Sequence, residues 1–318
     1  IAVGGDMRTS TPALKKQLLA GLSESGINVD DVGLVSTPTF YYAVAKYNYD
    51  GGVQVSASHN PAEYNGFKIV RRGGVAMGGQ TGISELARII SEEDYVPRAG
   101  KKGLISTTVN MTDAASQEYL QVAGNPKIKK FKIVIDTANA MGALDYEARF
   151  EKVPCEIIKM NYELDGTFPS HEADPLKPEN TADLQAKVLA EKADLGIAAD
   201  GDNDRVFIID EKGERVPSPI LYTLLAKTEL LQHPGSTLAY EIRLGMIIKD
   251  EFESKGVSLV PTPVGHSLEK QIMLDHDAIF GGEISGHYFF KFPFGTFEAP
   301  SLLVIKLLEY LTKKKKPL

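Results

Sequence analysis

The feature that most constrains the fold is an alternation of strand-like and helix-like segments, which occurs three times along the 318-residue chain. Short apolar runs such as residues 131–136 (Phe-Lys-Ile-Val-Ile-Asp) are typical of buried strands. Leu14, Leu18 and Leu22 lie at four-residue intervals after the Thr-Pro pair at 11–12, which predicts an amphipathic helix. Repeated alternation of this kind predicts α/β units, in which sheets are flanked by helices.

Breaks in the pattern divide the chain into three blocks. The Gly-Asn-Pro run at 124–126 and the Ser-Pro pair at 218–219 place the divisions, so the predicted domains are residues 1–122, 123–216 and 217–318. The Asn-Thr pair at 180–181 is expected to cap the helix of the second block, and Ser218 to cap the first helix of the third. A chain of this length can form two or three domains that each bury a core.

The first block contains a serine in a loop suited to covalent chemistry. Residues 56–61 (Ser-Ala-Ser-His-Asn-Pro) follow a strand-like segment and place Ser58 among small, turn-forming residues, where an anionic group can approach. Lys68 follows in the next strand-like run. No Gly-x-Ser-x-Gly pattern surrounds the serine, which argues against the usual serine hydrolase arrangement. Alone, this loop could equally be a capped turn without a catalytic role.

The second block contains three alternating carboxylates. Asp200, Asp202 and Asp204 can turn their oxygens toward one point, and hard oxygen ligands of this kind suit Mg²⁺. Glu211 is the twelfth residue from Asp200, as in a calcium-binding EF-hand. However, Arg205 stands at the sixth position, where that loop needs glycine, and strand-like segments flank the run. We therefore predict a magnesium site, with a solvated acidic turn as the alternative.

The third block contains a loop with hydrogen-bonding side chains between two glycines, at residues 282–287 (Gly-Glu-Ile-Ser-Gly-His). Glu283 and Ser285 carry groups that can hold sugar hydroxyls, and His287 can exchange protons near neutral pH. The three loops lie in different blocks, so a site formed from them would be a cleft between domains.

Together and in this order, the three loops resemble those of the α-D-phosphohexomutase superfamily, most closely its phosphomannomutase/phosphoglucomutase branch. Residues 3–12 and 264–270 support the likeness, which runs from end to end of the chain. The resemblance implies three consecutive similar α/β domains with mixed sheets flanked by helices and an active-site cleft at their junction. It also implies reversible movement of phosphate between the 1- and 6-positions of mannose or glucose phosphates.

The resemblance assigns roles to individual residues. Ser58 would carry the phosphate and give it to a hexose phosphate, through a hexose 1,6-bisphosphate intermediate. One Mg²⁺ would be held by Ser58, Asp200, Asp202 and Asp204. Proton transfer and charge stabilisation beside the serine would fall to Lys68 and Arg8, with His287 as an alternative acid or base. The expected substrate contacts are Glu283, Ser285, His287, Arg205, Arg243, His266 and Lys270.

The sequence also departs from the family pattern. Family members normally have a Gly-Thr-Ser-Gly-x-Arg-Gly segment before the position of Ile1 and a fourth domain after the third. The lysines at 313–316 resemble the linker into that domain. We therefore expect a truncation, or disorder beyond these residues, with a naturally three-domain protein as the alternative. Residues 294–298 (Phe-Gly-Thr-Phe-Glu) replace the usual Phe-Gly-x-Asp-Asp, so local sugar contacts are expected to differ.

Two further readings are compatible with these motifs. A phosphoglucosamine mutase has a similar serine loop, but Ile284 stands where that branch usually has glutamine. A non-catalytic phosphosugar-binding module has no need of a phosphorylatable Ser58 beside a metal site.

Composition sets the remaining expectations. A formal charge of −7, from 35 basic and 42 acidic side chains, disfavours nucleic acid as a partner. The single cysteine, Cys155, permits no intrachain disulfide. No apolar run is long enough to span a bilayer and no signal peptide is visible. We therefore expect a cytoplasmic protein without membrane contact, as a monomer or a homodimer.

Overall fold

The computed structural model describes residues 1–314 and 318 and contains three mixed sheets with helices packed against them. This confirms the predicted α/β class. In the first sheet the order is β5-β4-β3-β1-β2-β6, with β4 and β5 antiparallel to their neighbours. Its elements are β1 (Ala2–Gly5), α1 (Thr11–Glu24), β2 (Val29–Leu34), α2 (Thr37–Lys46), β3 (Gly51–Val55), β4 (Phe67–Arg71), β5 (Val75–Ala76), α3 (Ile83–Ser91), β6 (Ile105–Thr107) and α4 (Met111–Val122).

The second sheet has four strands in the order β10-β9-β7-β8, and only the edge strand β10 is antiparallel to its neighbour. Its elements are β7 (Lys132–Asp136), α5 (Gly142–Phe150), β8 (Glu156–Met160), α6 (Ala182–Glu191), β9 (Leu195–Ala199) and β10 (Val206–Ile209). The turn between β9 and β10 carries the acidic run, so strand pairing fixes both ends of that run.

The third sheet has the order β12-β11-β13-β14-β15, in which the last two strands are antiparallel to their neighbours. Its elements are α7 (Ser218–Gln232), β11 (Thr237–Glu241), α8 (Met246–Phe252), β12 (Ser258–Thr262), α9 (His266–Asp275), β13 (Phe280–Gly282), β14 (Tyr288–Phe292), β15 (Gly295–Glu298) and α10 (Pro300–Lys314). The loop at 283–287 connects β13 to β14. Lys315 and Lys316, part of the lysine run singled out in the sequence, lie outside the described residues.

Helix α2 joins the first sheet to the third. All of its residues from Thr37 to Ala45 are buried, as expected of a helix that is packed on every side. The Tyr41 ring lies 6.5 Å from that of Phe297, and the Tyr42 ring lies 6.0 Å from that of Phe294. The helix is therefore held between domains, and its first turn faces the acidic run of the second.

One of the two helix caps predicted from the sequence is wrong, and the other is confirmed in position alone. Thr181 stands at the cap position of α6, but its hydroxyl donates to the carbonyl of Pro178 and not to a backbone N–H of the helix. Ser218 is already the first residue of α7, and its hydroxyl donates to the carbonyl of Ile284 at 3.0 Å. The Thr181 bond is local, to a residue three positions back along the chain, whereas the Ser218 bond is tertiary and ties α7 to the loop at 283–287. Among the described residues, no helix combines the length and apolar composition needed to cross a bilayer.

Candidate active site

The three loops singled out in the sequence meet at one place. The Ser58 hydroxyl donates to Asp200 Oδ2 at 3.0 Å, which links the first domain to the second. Arg205 Nε lies 3.0 Å from His287 Nε2, which links the second to the third. We call residues 56–66 the serine loop, residues 200–205 the metal loop and residues 283–287 the sugar loop. Their convergence agrees with the expected cleft between domains.

The serine loop holds Ser58 in an unusual backbone conformation. Its φ of +52° lies in the left-handed region, which side-chain-bearing residues rarely adopt. The buried Ser56 stabilises this turn, because its hydroxyl accepts the Ser58 N–H at 3.1 Å. His59 Nδ1 lies 3.2 Å from Ser58 Oγ. Burial and the nearby Arg205 cation lower the pKa of His59.

Arg8 holds the serine loop in place through hydrogen bonds to its backbone. Its guanidinium donates to four carbonyls of that loop at 2.6–3.0 Å, those of Ser58, Asn60, Pro61 and Tyr64. Arg8 is buried, its Nε lies 3.4 Å from Asp6, and its guanidinium lies 4.9 Å from the centre of the Phe168 ring. These contacts support a positioning role for Arg8 better than the proton transfer expected from the sequence.

Replacement of Arg8 by methionine is expected to destabilise the protein strongly. The side chain keeps its length, but four carbonyls and the Asp6 carboxylate lose their cationic partner. Removing one member of a buried charge pair costs about 3–5 kcal/mol of unfolding free energy. Urea titration measures this change. Arg72→Met removes an exposed pair with Asp50 and serves as the control, with an expected change below about 1 kcal/mol. Equal losses in the two variants would contradict the positioning role.

The acidic triad can hold a metal ion. Asp200, Asp202 and Asp204 are buried, and one oxygen of each lies within 4.8 Å of the others. Asp202 Oδ1 and Asp204 Oδ1 have no hydrogen-bond partner among the described residues. Buried carboxylate oxygens are costly to leave unpaired, so a cation among them would satisfy the cluster. The donor set therefore fits Mg²⁺, which prefers carboxylate oxygens and open coordination positions.

Lys68 partly neutralises the triad. Its Nζ lies 2.5 Å from Asp202 Oδ2 and 2.7 Å from Asp204 Oδ2. Burial alone would lower the pKa of Lys68, but the two carboxylates raise it well above the ordinary value. Burial would raise the pKa of Asp204, but Lys68 and its other cationic neighbours hold it well below the ordinary range. Lys68 therefore stays protonated and is suited to stabilising negative charge.

Asp200 differs from the other two carboxylates. Burial, and then repulsion from Asp204 and Asp202, raises the pKa of Asp200 well above its usual range. Asp200 Oδ1 accepts the backbone N–H of Arg205 at 3.1 Å, and Oδ2 accepts the hydroxyl of Ser58. A cation at the triad would oppose this repulsion, so the arrangement of the carboxylates favours a bound ion.

His287 lies between the metal and sugar loops. Its Nε2 accepts a hydrogen bond from Arg205 Nε, and its Nδ1 donates to the backbone carbonyl of Asp204 at 3.2 Å. Complete burial is the main reason why the pKa of His287 falls to about 3, with Arg205 and His266 lowering it further. The imidazole is therefore neutral at physiological pH, and both of its nitrogens are engaged in hydrogen bonds.

The sugar loop presents Glu283 and Ser285. The Ser285 hydroxyl donates to Glu283 Oε2 at 2.6 Å, and Glu283 Oε1 has no partner among the described residues. Burial raises the pKa of Glu283. Arg243 lies beside this loop and is anchored by Glu241, whose Oε2 also accepts the Ile284 N–H at 3.2 Å. The loop therefore offers acceptor groups that suit hydroxyl ligands.

Glu298 anchors two of the residues expected to contact substrate. Both of its oxygens accept bonds from Lys270 Nζ, at 3.0 and 2.9 Å, and its Oε1 lies 3.3 Å from His266 Nδ1. The Lys270 side chain is only 1% exposed and its Nζ lies 4.1 Å from the centre of the Tyr41 ring, so we propose a supporting role for it. His266 is about one-third exposed and stacks on His287 at 5.5 Å. Glu298 thus supplies a carboxylate where the sequence departs from the family pattern.

Two residues that shape the site could not be identified from the sequence. Thr37, at the start of α2, donates its backbone N–H to the Asp202 carbonyl at 3.0 Å and its hydroxyl to the Asp202 carboxylate. Asp145 accepts a hydrogen bond from Asn203 within the metal loop. Neither residue belongs to a recognisable motif. Their neighbours in space come from distant parts of the chain, so local sequence carried no signal.

Comparisons with known proteins agree with this geometry. Three family models match in succession: phosphoglucomutase/phosphomannomutase alpha/beta/alpha domain I over residues 1–96, domain II over 112–213 and domain III over 219–318. A phosphomannomutase from Vibrio cholerae is 37% identical over 316 residues, which cover 97% of this chain and 68% of that protein. A Pseudomonas putida phosphomannomutase/phosphoglucomutase is 36% identical, with coverage of 98% and 66%.

A solved structure supports the same conclusion. The crystal structure of a phosphoglucomutase/phosphomannomutase family protein from Burkholderia thailandensis superposes with a TM-score of 0.87 at 31% identity, and the match covers 98% of this chain and 68% of that one. The chain thus spans about two thirds of the length of the relatives it matches. By sequence and by fold, it belongs to the phosphoglucomutase/phosphomannomutase family.

Proposed function

We propose that this chain contributes the phosphoserine, metal and sugar-binding parts of a phosphohexomutase, which moves phosphate between the 1- and 6-positions of mannose or glucose phosphates. The observation that carries the proposal is the 3.0 Å contact between the Ser58 hydroxyl and Asp200 of the triad. A phosphate on Ser58 would lie beside the carboxylates that can hold a divalent cation. A binding module without chemistry has no use for that juxtaposition.

The reaction transfers one phosphoryl group at a time. The bond between Ser58 Oγ and phosphorus breaks as a bond forms between phosphorus and a sugar hydroxyl oxygen. The hydroxyl proton passes to a base, and His287 can take it only when its Nε2 is released from the hydrogen bond to Arg205. The resulting hexose 1,6-bisphosphate turns around and returns its other phosphoryl group to Ser58. Loss of one phosphate and gain of another leave the enzyme unchanged.

Other residues of the site would stabilise charge and hold the sugar. Asp200, Asp202, Asp204 and the serine phosphate would hold Mg²⁺, which would supply positive charge for the transferring oxygens. Lys68 adds a fixed positive charge. Contacts to the sugar and its phosphate would come from Glu283, Ser285, Arg205, Arg243 and His266.

Substrate trials test this proposal. The complete gene product is assayed with glucose 1-phosphate, mannose 1-phosphate and glucosamine 1-phosphate, while intact mass reports phosphate on Ser58. Turnover of either of the first two sugars, with a phosphorylated serine, is the expected result. Preference for glucosamine 1-phosphate would identify the related amino-sugar mutase instead. Binding without turnover, on an unmodified serine, would contradict the enzymatic proposal.

Asp202→Asn is expected to weaken metal binding and turnover together. The change removes one formal charge from a site for a hard cation but preserves the size of the side chain. We expect Mg²⁺ affinity to fall by about tenfold or more, on the scale of a lost charge-assisted contact. Titration calorimetry with Mg²⁺ measures it. Asp50→Asn, at an exposed carboxylate, is the matched control. Unchanged affinity in Asp202→Asn would mean that the triad is an acidic turn and nothing more.

A further inference from the structure

We propose that Asp145 is a positioning residue that fixes the metal loop on the first domain and thereby sets the affinity of the site for Mg²⁺. This inference rests on the proposed function, because it assigns a role toward the metal site. It concerns a residue that lies outside the three loops.

Asp145 joins two domains through its two oxygens. It lies in the first turn of α5, in the second domain, and is 6% exposed. Its Oδ2 accepts a hydrogen bond from Asn203 Nδ2 at 2.7 Å, and its Oδ1 accepts one from the Thr39 hydroxyl at 3.1 Å. Asn203 stands between two of the triad aspartates, and Thr39 belongs to α2 of the first domain. One carboxylate therefore connects the metal loop to the other domain.

Asn203 has a backbone conformation that depends on its surroundings. Its φ of +59° is left-handed, which asparagine tolerates better than most residues. Its side chain is fully buried and is held by the bond to Asp145. That bond therefore fixes the residue that turns the chain between Asp202 and Asp204.

Helix α5 reaches the metal loop closely enough to hold it. The backbone N–H of Met141 donates to the Gly201 carbonyl at 3.2 Å. A Cβ on Gly142 would lie only 2.9 Å from the Cβ of Ala199, so glycine is needed for this approach. The start of α5 and the metal loop thus pack backbone to backbone, and Asp145 adds a directional contact one turn along.

Thr39, the partner of Asp145 in the first domain, is also held in place. Thr39 donates its backbone N–H to the capping hydroxyl of Ser36 at 3.2 Å, so the first turn of α2 is ordered. Thr37 in the same turn binds Asp202 directly. A buried carboxylate costs more than an apolar side chain of similar size. Unlike an apolar residue, however, Asp145 orients two hydrogen-bond donors that belong to different domains.

The connection matters because the proposed metal ligands come from both domains. Ser58 belongs to the first domain and the aspartates to the second. Residues that orient metal ligands through hydrogen bonds typically change metal affinity by about 10–100-fold when they are replaced. Asp145 acts on the ligands through Asn203 and is itself not a ligand.

Asp145→Leu tests the role with little change of volume. The branched side chain fills the same space but accepts no hydrogen bond, so Asn203 and Thr39 both lose their acceptor. We expect Mg²⁺ affinity, measured by titration calorimetry on unphosphorylated protein, to fall by about tenfold. Far-ultraviolet circular dichroism should match that of the unaltered chain.

Ser116→Ala is the matched control. Ser116 lies in α4 of the first domain, is buried, and donates its hydroxyl to the carbonyl of Ala148 in α5 at 2.9 Å, so it joins the same two domains without a hydrogen bond to the metal loop. It should lower the midpoint of thermal unfolding but leave Mg²⁺ affinity within about twofold, since no contact of the metal loop changes. If Asp145 were merely structural, its variant would behave like this control, and the proposal would be overturned.

A double-mutant cycle tests whether Asp145 acts on the metal ligands through Asn203. Asn203→Gly removes the donor but tolerates the left-handed backbone. If Asp145 acts through Asn203, the double variant should lose no more affinity than the larger single loss. Additive losses would overturn the proposal. An absence of Mg²⁺ binding by the unaltered chain would overturn both this role and the proposed function, whereas Mg²⁺ binding without turnover would overturn the proposed function alone.

Discussion

Ser58→Ala is expected to abolish mutase turnover and leave the fold intact. The hydroxyl contributes little to the core, since Ser58 is only half-buried in a surface loop. Without it, no phosphoryl group can be carried between the two positions of the sugar. Removal of a covalent nucleophile lowers turnover by roughly ten-thousandfold or more. A coupled assay of the complete gene product measures the loss.

Intact mass provides the second measurement for this variant. The unaltered chain should carry the mass of one phosphoryl group after incubation with a hexose bisphosphate, and Ser58→Ala should carry none. Ser91→Ala, at the exposed end of α3, is the control and should behave as the unaltered chain. Turnover in Ser58→Ala similar to that of the control would contradict the phosphoserine mechanism.

Gly201→Ala is expected to have the second-largest effect on turnover, although it adds a single methyl group. A Cβ at Gly201 would lie 2.2 Å from the backbone oxygen of Ser58 and 3.1 Å from its carbonyl carbon. Backbone atoms cannot rotate away, so the serine and metal loops must move apart. Displacement of reacting groups by about 1 Å costs on the order of a hundredfold in rate.

Turnover and unfolding together test this prediction. We expect kcat to fall by about a hundredfold and the unfolding free energy by about 1–3 kcal/mol, as for other overpacked sites. Gly21→Ala is the control, because a Cβ there meets nothing within 4 Å and the residue lies in helix α1. A turnover in Gly201→Ala equal to that of the control would show that the two loops need not touch.

The sequence was sufficient to predict the elements and the loops that carry chemistry. Leu14, Leu18 and Leu22 lie on one half-buried face of α1. Their spacing predicted this helix because apolar residues one turn apart line the face that packs against the rest of the protein. The metal loop was also predictable. Its carboxylates lie close together in the chain, so strand pairing of β9 with β10 was enough to bring them together.

Contacts between domains could not be predicted in this way. Asp145 looks like an ordinary acidic residue in the first turn of a helix, where such residues are common. Glu298 looks like a departure from the family pattern, yet it holds His266 and Lys270. Ser218 was expected to cap a helix, but its hydroxyl binds the sugar loop instead. In each case the partner lies far away in sequence, so the role follows from tertiary structure.

The span of the Ser58–Asp200 contact has a consequence for how the protein is made. The two residues are 142 positions apart, and a ribosome needs roughly 7–30 s to add that many residues. During this interval the nascent first domain exposes its serine without an acidic partner. His287 is translated later still, and it completes the contact with Arg205 across a further 82 positions. The three loops can therefore come together only after the third domain's loop has been synthesised, and the proposed site is assembled late in translation.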